Sequence, residues 1–114
     1  MNTTPPIHDR PQPIWIPDPD QAAASTLAGF STFADTRFSA GVGDPLDYTS
    51  LWTWSTDNIA DFWEAVWSYF DVKSHTPYTS VLAEETMPGA QWFSGATVNY
   101  AEYALTNDHS DSAA

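Results

Sequence analysis

The 114-residue chain sets 15 Asp and Glu against 3 Lys and Arg, a formal net charge of -12. Such a surface repels phosphate backbones and anionic bilayers, which argues against nucleic acid and membranes as partners. With no cysteine, a disulfide framework, a thiolate zinc site and a Cys nucleophile are excluded.

The length fits one domain. Met1 to Pro13 lacks the apolar core of a signal peptide. No apolar run approaches the roughly 20 residues of a membrane helix. A soluble, cytoplasmic chain is expected. Six Trp, five Tyr and six Phe make it 15% aromatic, far above an acidic disordered chain. Aromatics on this scale demand a packed core or a large docking surface.

Residues 1–13, rich in Thr and Pro, are expected to form a disordered leader. Ile14-Trp15-Ile16 follows as a short extended anchor, closed by Pro17. Asp18-Pro19-Asp20-Gln21 then opens a helix. Asp18 caps it, Pro19 fits the first helical position and Gln21 sits where a capping box wants Glu or Gln. Ala23, Leu27, Phe30 and Ala34 recur on one helical face, with Phe33 beside them. That helix should fade by Phe38 and stop at Gly41-Val42-Gly43.

Tyr48 to Trp52 reads as a short apolar patch of one helical turn. Ser55 is the expected cap of the clearest helix in the chain, with Asp57 near its start suiting the dipole. Ile59, Phe62, Trp63, Val66, Trp67 and Phe70 fall on one stripe of that helix, opposite Asn58, Asp61, Glu64, Ser68 and Asp71. The stripe is expected to face the core, at about 1.5–3 kcal/mol for each large apolar side chain buried. Trp15, Trp52, Trp54 and Trp92 lie outside it, with Trp54 and Trp92 suited to sealing loops against helices. Lys73 to Pro77 is a connector, and Tyr78 to Leu82 favours a short strand. Glu84 to Gly89 is a loop with a Pro-Gly turn. Val98, Ala101 and Leu105 mark a last short helix with Thr97 as its cap. Asn107 to Ala114 is a polar, frayed tail.

No catalytic constellation emerges from the residues. His8, His75 and His109 are far apart in the sequence, without a metal-ligand neighbour at helical spacing. Glu84 and Glu85 are adjacent and point apart. Asp57, Asp61 and Glu64 read as a solvated helix face. Gly41-Val42-Gly43 lacks the third glycine of a phosphate loop, and a helix stop explains it better. Lys73, the sole lysine, follows no glycine-rich loop, and no Gly-x-Ser-x-Gly elbow occurs.

Five segments, however, occur in a recognisable order. They are Pro13-Ile-Trp-Ile-Pro17, Leu51-Trp-Thr-Trp-Ser55, Asp61-Phe-Trp-Glu-Ala-Val-Trp67, Pro77-Tyr-Thr-Ser-Val-Leu82 and Met87-Pro-Gly-Ala-Gln-Trp-Phe-Ser-Gly-Ala-Thr-Val-Asn-Tyr-Ala-Glu102. In these the chain resembles the N-terminal region of the acetoacetyl-CoA synthetases (acetoacetate–CoA ligases), relatives of acetyl-CoA synthetase in the adenylate-forming superfamily. Phe62-Trp63 and Trp92-Phe93 followed by Asn99 are shared with acetyl-CoA synthetases generally. The resemblance covers about Pro13 to Thr106.

The resemblance implies a full-length enzyme of several hundred residues that forms an acyl-adenylate from ATP and then passes the acyl group to CoA. It implies ATP, magnesium and CoA for that enzyme, and none bound by this segment. The family's phosphate loop ending in Lys, aromatic-Thr-Glu motif, ribose-binding Asp and C-terminal Lys have no counterpart here. No catalytic, cofactor-binding or metal residue is therefore assigned.

The expected fold is a small, mainly α cap with short extended segments, having helices at about 19–37, 56–71 and 98–106. The expected division is a leader at 1–13, a cap domain at 14–106, and a tail or start of a missing adenylation domain at 107–114. The structural and docking residues expected are Trp15, Ile59, Phe62, Trp63, Val66, Trp67, Phe70, Trp92, Phe93 and Asn99. Their partner is the large adenylation domain, in the same chain or split from it. Two alternatives stand beside this expectation: a free-standing acidic, Trp-rich protein-interaction module, and a small Trp-lined ligand binder.

Overall fold

A computed structural model describes residues 11–106. Most of the expected leader and the tail at 107–114 lie outside these residues, as do His8 and His109. Among the described residues the fold is mainly helical, with five helices and one two-stranded sheet.

The helix expected at 19–37 is two helices. Helix α1 spans Pro19–Ala23, and the Asp18 carboxylate accepts the N–H groups of Asp20 and Gln21. Helix α2 spans Thr26–Phe38. The break falls at Ser25, whose hydroxyl donates to the Ala22 carbonyl at 2.6 Å and accepts from the Ala28 N–H at 3.2 Å. Serine gains more from capping than from a place inside a helix, so one continuous pattern becomes two elements. The buried face of α2 is Ala28, Phe30, Ser31 and Ala34, while Leu27 is exposed. Ser31 is tolerated there because its hydroxyl donates back to the Leu27 carbonyl.

Helix α2 ends at Ser39, which takes the left-handed conformation. The Val42 and Gly43 N–H groups then donate to the two oxygens of Asp35, each at 2.8 Å. This bridge folds the Gly41-Val42-Gly43 segment back on α2 and buries Val42. The amides that a phosphate loop would offer to a ligand are filled by the chain's own carboxylate.

Tyr48 to Trp52 is no single turn. Helix α3 spans Tyr48–Asp57, with Asp47 as its cap. Ser55 lies inside α3 and donates to the Trp52 carbonyl. Asp57 is the last residue of α3, so it does not serve the first turn of the next helix as expected. Helix α4 spans Ile59–Tyr69 and starts at Asn58 without a side-chain cap. Asn58 donates twice to the Trp54 carbonyl, from its backbone and its side chain, which closes α3 instead. The hydroxyl-rich run continues as a helix past the single expected turn because Leu51 and Trp54 are buried against α2 and α4.

Strand β1 spans Ser80–Glu84 and strand β2 spans Gln91–Ser94. They pair antiparallel, Ser80 opposite Ser94 and Leu82 opposite Trp92, with an irregularity between Leu82 and Glu84. The strand expected at Tyr78 to Leu82 therefore starts two residues later. Below the ladder the two segments stay joined. Thr79 N–H donates to the Ser94 carbonyl, Thr76 hydroxyl to the Gly95 carbonyl, and His75 N–H to the Thr97 carbonyl. Helix α5 spans Tyr100–Thr106 and has no buried residue. Asn99, not Thr97, stands at its start, accepting the Glu102 N–H at 3.2 Å. Thr97 is held by the bridge to Thr76.

The core sits where α2 crosses α4, closed by α3. It comprises Phe30, Ala34, Val42, Leu51, Trp54 and Ala65. Ala34 and Ala65 are both wholly buried, and small side chains let helices approach closely. Leucine at position 65 would overfill this crossing. Ala65→Leu is expected to lower unfolding stability by about 1–3 kcal/mol, read as a lower urea midpoint at unchanged slope.

The Asp47 cap has a pH signature. The Ser50 hydroxyl at 2.6 Å and the Ser50 N–H at 3.1 Å hold its carboxyl below the ordinary value of 3.8. A depressed folded value contributes stability above 3.8 that is lost as the pH falls through the folded value. Acid titration followed by helical circular dichroism should show this loss, and Asp47→Asn should weaken that part of the acid transition.

Candidate docking surface

Helix α4 uses two faces. One carries Phe62, Ala65, Val66 and Tyr69 toward α2 and α3. Phe62 meets Phe30 edge-on at 5.9 Å and Trp54 at 6.1 Å, and Tyr69 meets Phe30 at 5.5 Å and Phe33 at 5.3 Å. The approach is close enough that a Cβ on Gly29 would lie 2.6 Å from the Tyr69 hydroxyl. The other face carries Trp63 and Trp67 toward the hairpin. Trp67 stacks on Phe93 at 4.5 Å, and Trp63 meets Trp92 edge-on at 5.9 Å. Tyr78 completes this second cluster, 5.3 Å from Trp67 and 5.4 Å from Phe93.

The single stripe expected from the sequence is thus divided between two contacts, and the most buried residue of α4, Ala65, is not on that stripe. Ile59 is half-buried at the start of α4. Phe62, Val66 and Trp67 are half-buried, whereas Trp63 and Phe70 remain exposed. The Phe70 carbonyl accepts the Tyr103 hydroxyl, and His75 pairs with Glu102 at 2.8 Å. These polar ties hold α5 to the body, whose expected apolar residues Val98 and Leu105 stay exposed. Phe93 sits at φ 45°, a conformation rare for a bulky side chain. Trp15 is 75% exposed in the irregular segment ahead of α1, where Ile14 is at a bend.

Three helices leave one apolar side open. A groove of about 370 Å3 runs between α2, α3 and α4, lined by Leu27, Phe30, Tyr48, Leu51, Trp52, Phe62, Val66 and Phe70, with Thr26 and Ser55 at its edge. No charged side chain among the described residues lines it. Tyr48 is 63% exposed and Trp52 is 55% exposed. A second groove of about 290 Å3 shares Leu27, Tyr48 and Leu51 with it and reaches Pro17, Pro19, Pro45 and Leu46. Leu27, Tyr48 and Leu46 were not singled out as docking residues from the sequence. The available signal was Tyr48, Leu51, Trp52 and Ser55 at helical spacing, obscured by Thr49, Ser50 and Thr53 among them.

Among the described residues the two cations are engaged elsewhere. Arg37 lies over the Phe33 ring, and Lys73 pairs with Asp71. No described group of three His, Asp or Glu residues converges as a metal site. What the surface offers is apolar and aromatic contact.

The sequence signature described as acetyl-coenzyme A synthetase N-terminus matches residues 48–104. The chain belongs to that family. It is 29% identical over 94 residues to the acetoacetyl-coenzyme A synthetase of Rhizobium meliloti (strain 1021), covering 82% of this chain and 14% of the relative. It is 26% identical over 103 residues to the acetoacetyl-CoA synthetase of Danio rerio, covering 89% of this chain and 15% of that one. Among solved structures it is similar to acetoacetyl-CoA synthetase from Streptomyces lividans, with a TM-score of 0.76 and 46% identity over 83% of this chain and 14% of that chain. The chain therefore spans about one seventh of the length of these relatives. The family fits the geometry: α3, α4, the hairpin and the first part of α5, as far as residue 104, fall within the matched residues. No described helix is long and apolar enough to cross a membrane.

The second cluster carries its own pH dependence. Partial burial first, and then the charge and hydrogen bond of Glu64, push the Tyr78 hydroxyl above its ordinary value of 10.0. Tyr78 donates to Glu64 at 3.3 Å. A raised folded value gives stability that is complete below 10.0 and is lost as the pH rises through the folded value. Thermal unfolding between about pH 9 and about pH 11 should show this fall, and Tyr78→Phe should make it shallower.

Proposed function

We propose that this chain is the N-terminal cap of an acetoacetate–CoA ligase and acts by docking on the large adenylation domain. The observation that carries the proposal is the match to about one seventh of acetoacetyl-CoA synthetases from several organisms, together with an apolar groove left open among three helices. Large exposed apolar patches mark interaction sites.

In this reading the full enzyme adenylates acetoacetate with ATP, releases pyrophosphate and transfers the acyl group to CoA. Magnesium, ATP and CoA are held by the remainder of the enzyme. The cap contributes apolar contact and a folded start, not a reacting group. The described chemistry supports this division, since Arg37 and Lys73 are both occupied and the groove is uncharged.

The purified 114-residue chain is expected to form no acetoacetyl-CoA from acetoacetate, ATP, magnesium and CoA. Product above the enzyme-free background would overturn the assignment of chemistry to the remainder. Co-expressed with the remainder of the Streptomyces lividans enzyme, the chain is expected to copurify with it in equal amount. A monomeric, folded chain that does not associate would overturn the docking role.

A further inference from the structure

We infer that α5 is a latched strap. It opens from the body as a unit while α2, α3 and α4 stay folded, and the Tyr103 hydroxyl and the Glu102 carboxylate are its latch. The inference goes beyond the cap reading and stands on the chain alone.

The backbone is fastened as far as Thr97 and loosely held after it. Up to that point the His75 and Thr79 N–H groups and the Thr76 hydroxyl bind the carbonyls of Thr97, Ser94 and Gly95. Val98 is then exposed, and the seven residues of α5 include none that is buried. Tyr100 and Leu105 are 85% and 73% exposed. So short a helix does not hold itself together in water, because nucleation costs more than its few hydrogen bonds return. Its order here depends on what ties it to the body.

Two side-chain ties do so. Tyr103 donates to the Phe70 carbonyl from 33 residues away, and Glu102 meets His75 from 27 residues away. Phe70 is the C-cap of α4, and Asp71 after it turns left-handed at φ 50°. The end of a helix leaves carbonyls without an intrahelical donor, and Tyr103 supplies one to Phe70. Asn99 presents both latch residues. Its side chain accepts the Glu102 N–H at 3.2 Å, and its carbonyl accepts the Tyr103 N–H at 3.1 Å. Each tie is a single contact in reach of water, so parting both costs far less than unfolding the core. Segments that move in proteins are drawn from this weakly held class. Phe70 also joins the latch to the groove, since its carbonyl holds Tyr103 while its side chain lines the apolar wall.

Native-state amide hydrogen exchange of the 114-residue chain, followed by NMR, tests the latch. The amides of Tyr103 and the α5 residues after it are expected to be measurably protected. They should nevertheless exchange at least about a hundredfold faster than those of Ala65 and Val66 in α4. Low urea should leave the α5 rates unchanged, because a local opening exposes little surface. Tyr103→Phe keeps the ring and removes the hydroxyl, and is expected to speed α5 exchange about fivefold with the α4 rates unaltered. Glu102→Gln is expected to speed it about twofold. Tyr100→Phe removes a hydroxyl from the exposed side of the same helix and should leave every rate as it was. Exchange of α5 at the α4 rate, an unprotected α5, an unchanged rate in either latch variant, or equal effects of Tyr103→Phe and Tyr100→Phe would overturn the inference.

Discussion

The close crossing of α2 and α4 is the constraint on which the rest of the fold depends. Ala34 and Ala65 are wholly buried there, and Gly29 leaves room for the Tyr69 hydroxyl. With the helices this close, Phe30 can sit edge-on between Phe62 and Tyr69. Trp54 of α3 then packs on Phe62 and Phe38, closing the third side. A few small residues therefore decide where five large ones go.

From that crossing follows the double use of α4. Its α2-facing side is fixed by the core, so Trp63 and Trp67 project toward the other side. The hairpin supplies Trp92, Phe93 and Tyr78 to meet them. A two-stranded hairpin is marginal by itself, and here its aromatics and the Tyr78–Glu64 hydrogen bond fasten it to a helix. The same geometry leaves the third approach, between α2 and α3, unfilled. The groove is thus a consequence of how the core is built, with Phe62, Val66 and Phe70 from the α4 side forming one of its walls.

Much of this was legible in the residues. Asp18-Pro19 opens a helix as the spacing of capping residues requires, and the α4 region is helical because its apolar residues recur at 3.6. The ordered motifs pointed to the family that the matched signature bears out. Less legible was α3, where Thr49, Ser50, Thr53 and Ser55 leave only one helical turn to be expected at Tyr48 to Trp52, with Ser55 as a cap. Their hydroxyls are absorbed by the cap and by carbonyls within the helix, leaving Leu51 and Trp54 to decide the outcome. The break at Ser25 was hidden for the opposite reason: a continuous apolar pattern masked a local cap.

The sequence by itself determined the helical class, the acidic surface, the aromatic load and the family, because periodicity, charge and motif order are one-dimensional properties. Tertiary structure decided which aromatics are core and which are surface. Phe62 and Trp63 are neighbours with similar apolarity, yet one faces α2 and the other the hairpin. Trp52 and Trp54 lie two residues apart in one helix, yet Trp54 is 7% exposed and Trp52 borders the groove. Hydrophobicity is a property of the side chain, but burial is a property of what stands opposite it. Only the α2–α4 crossing settles what stands opposite.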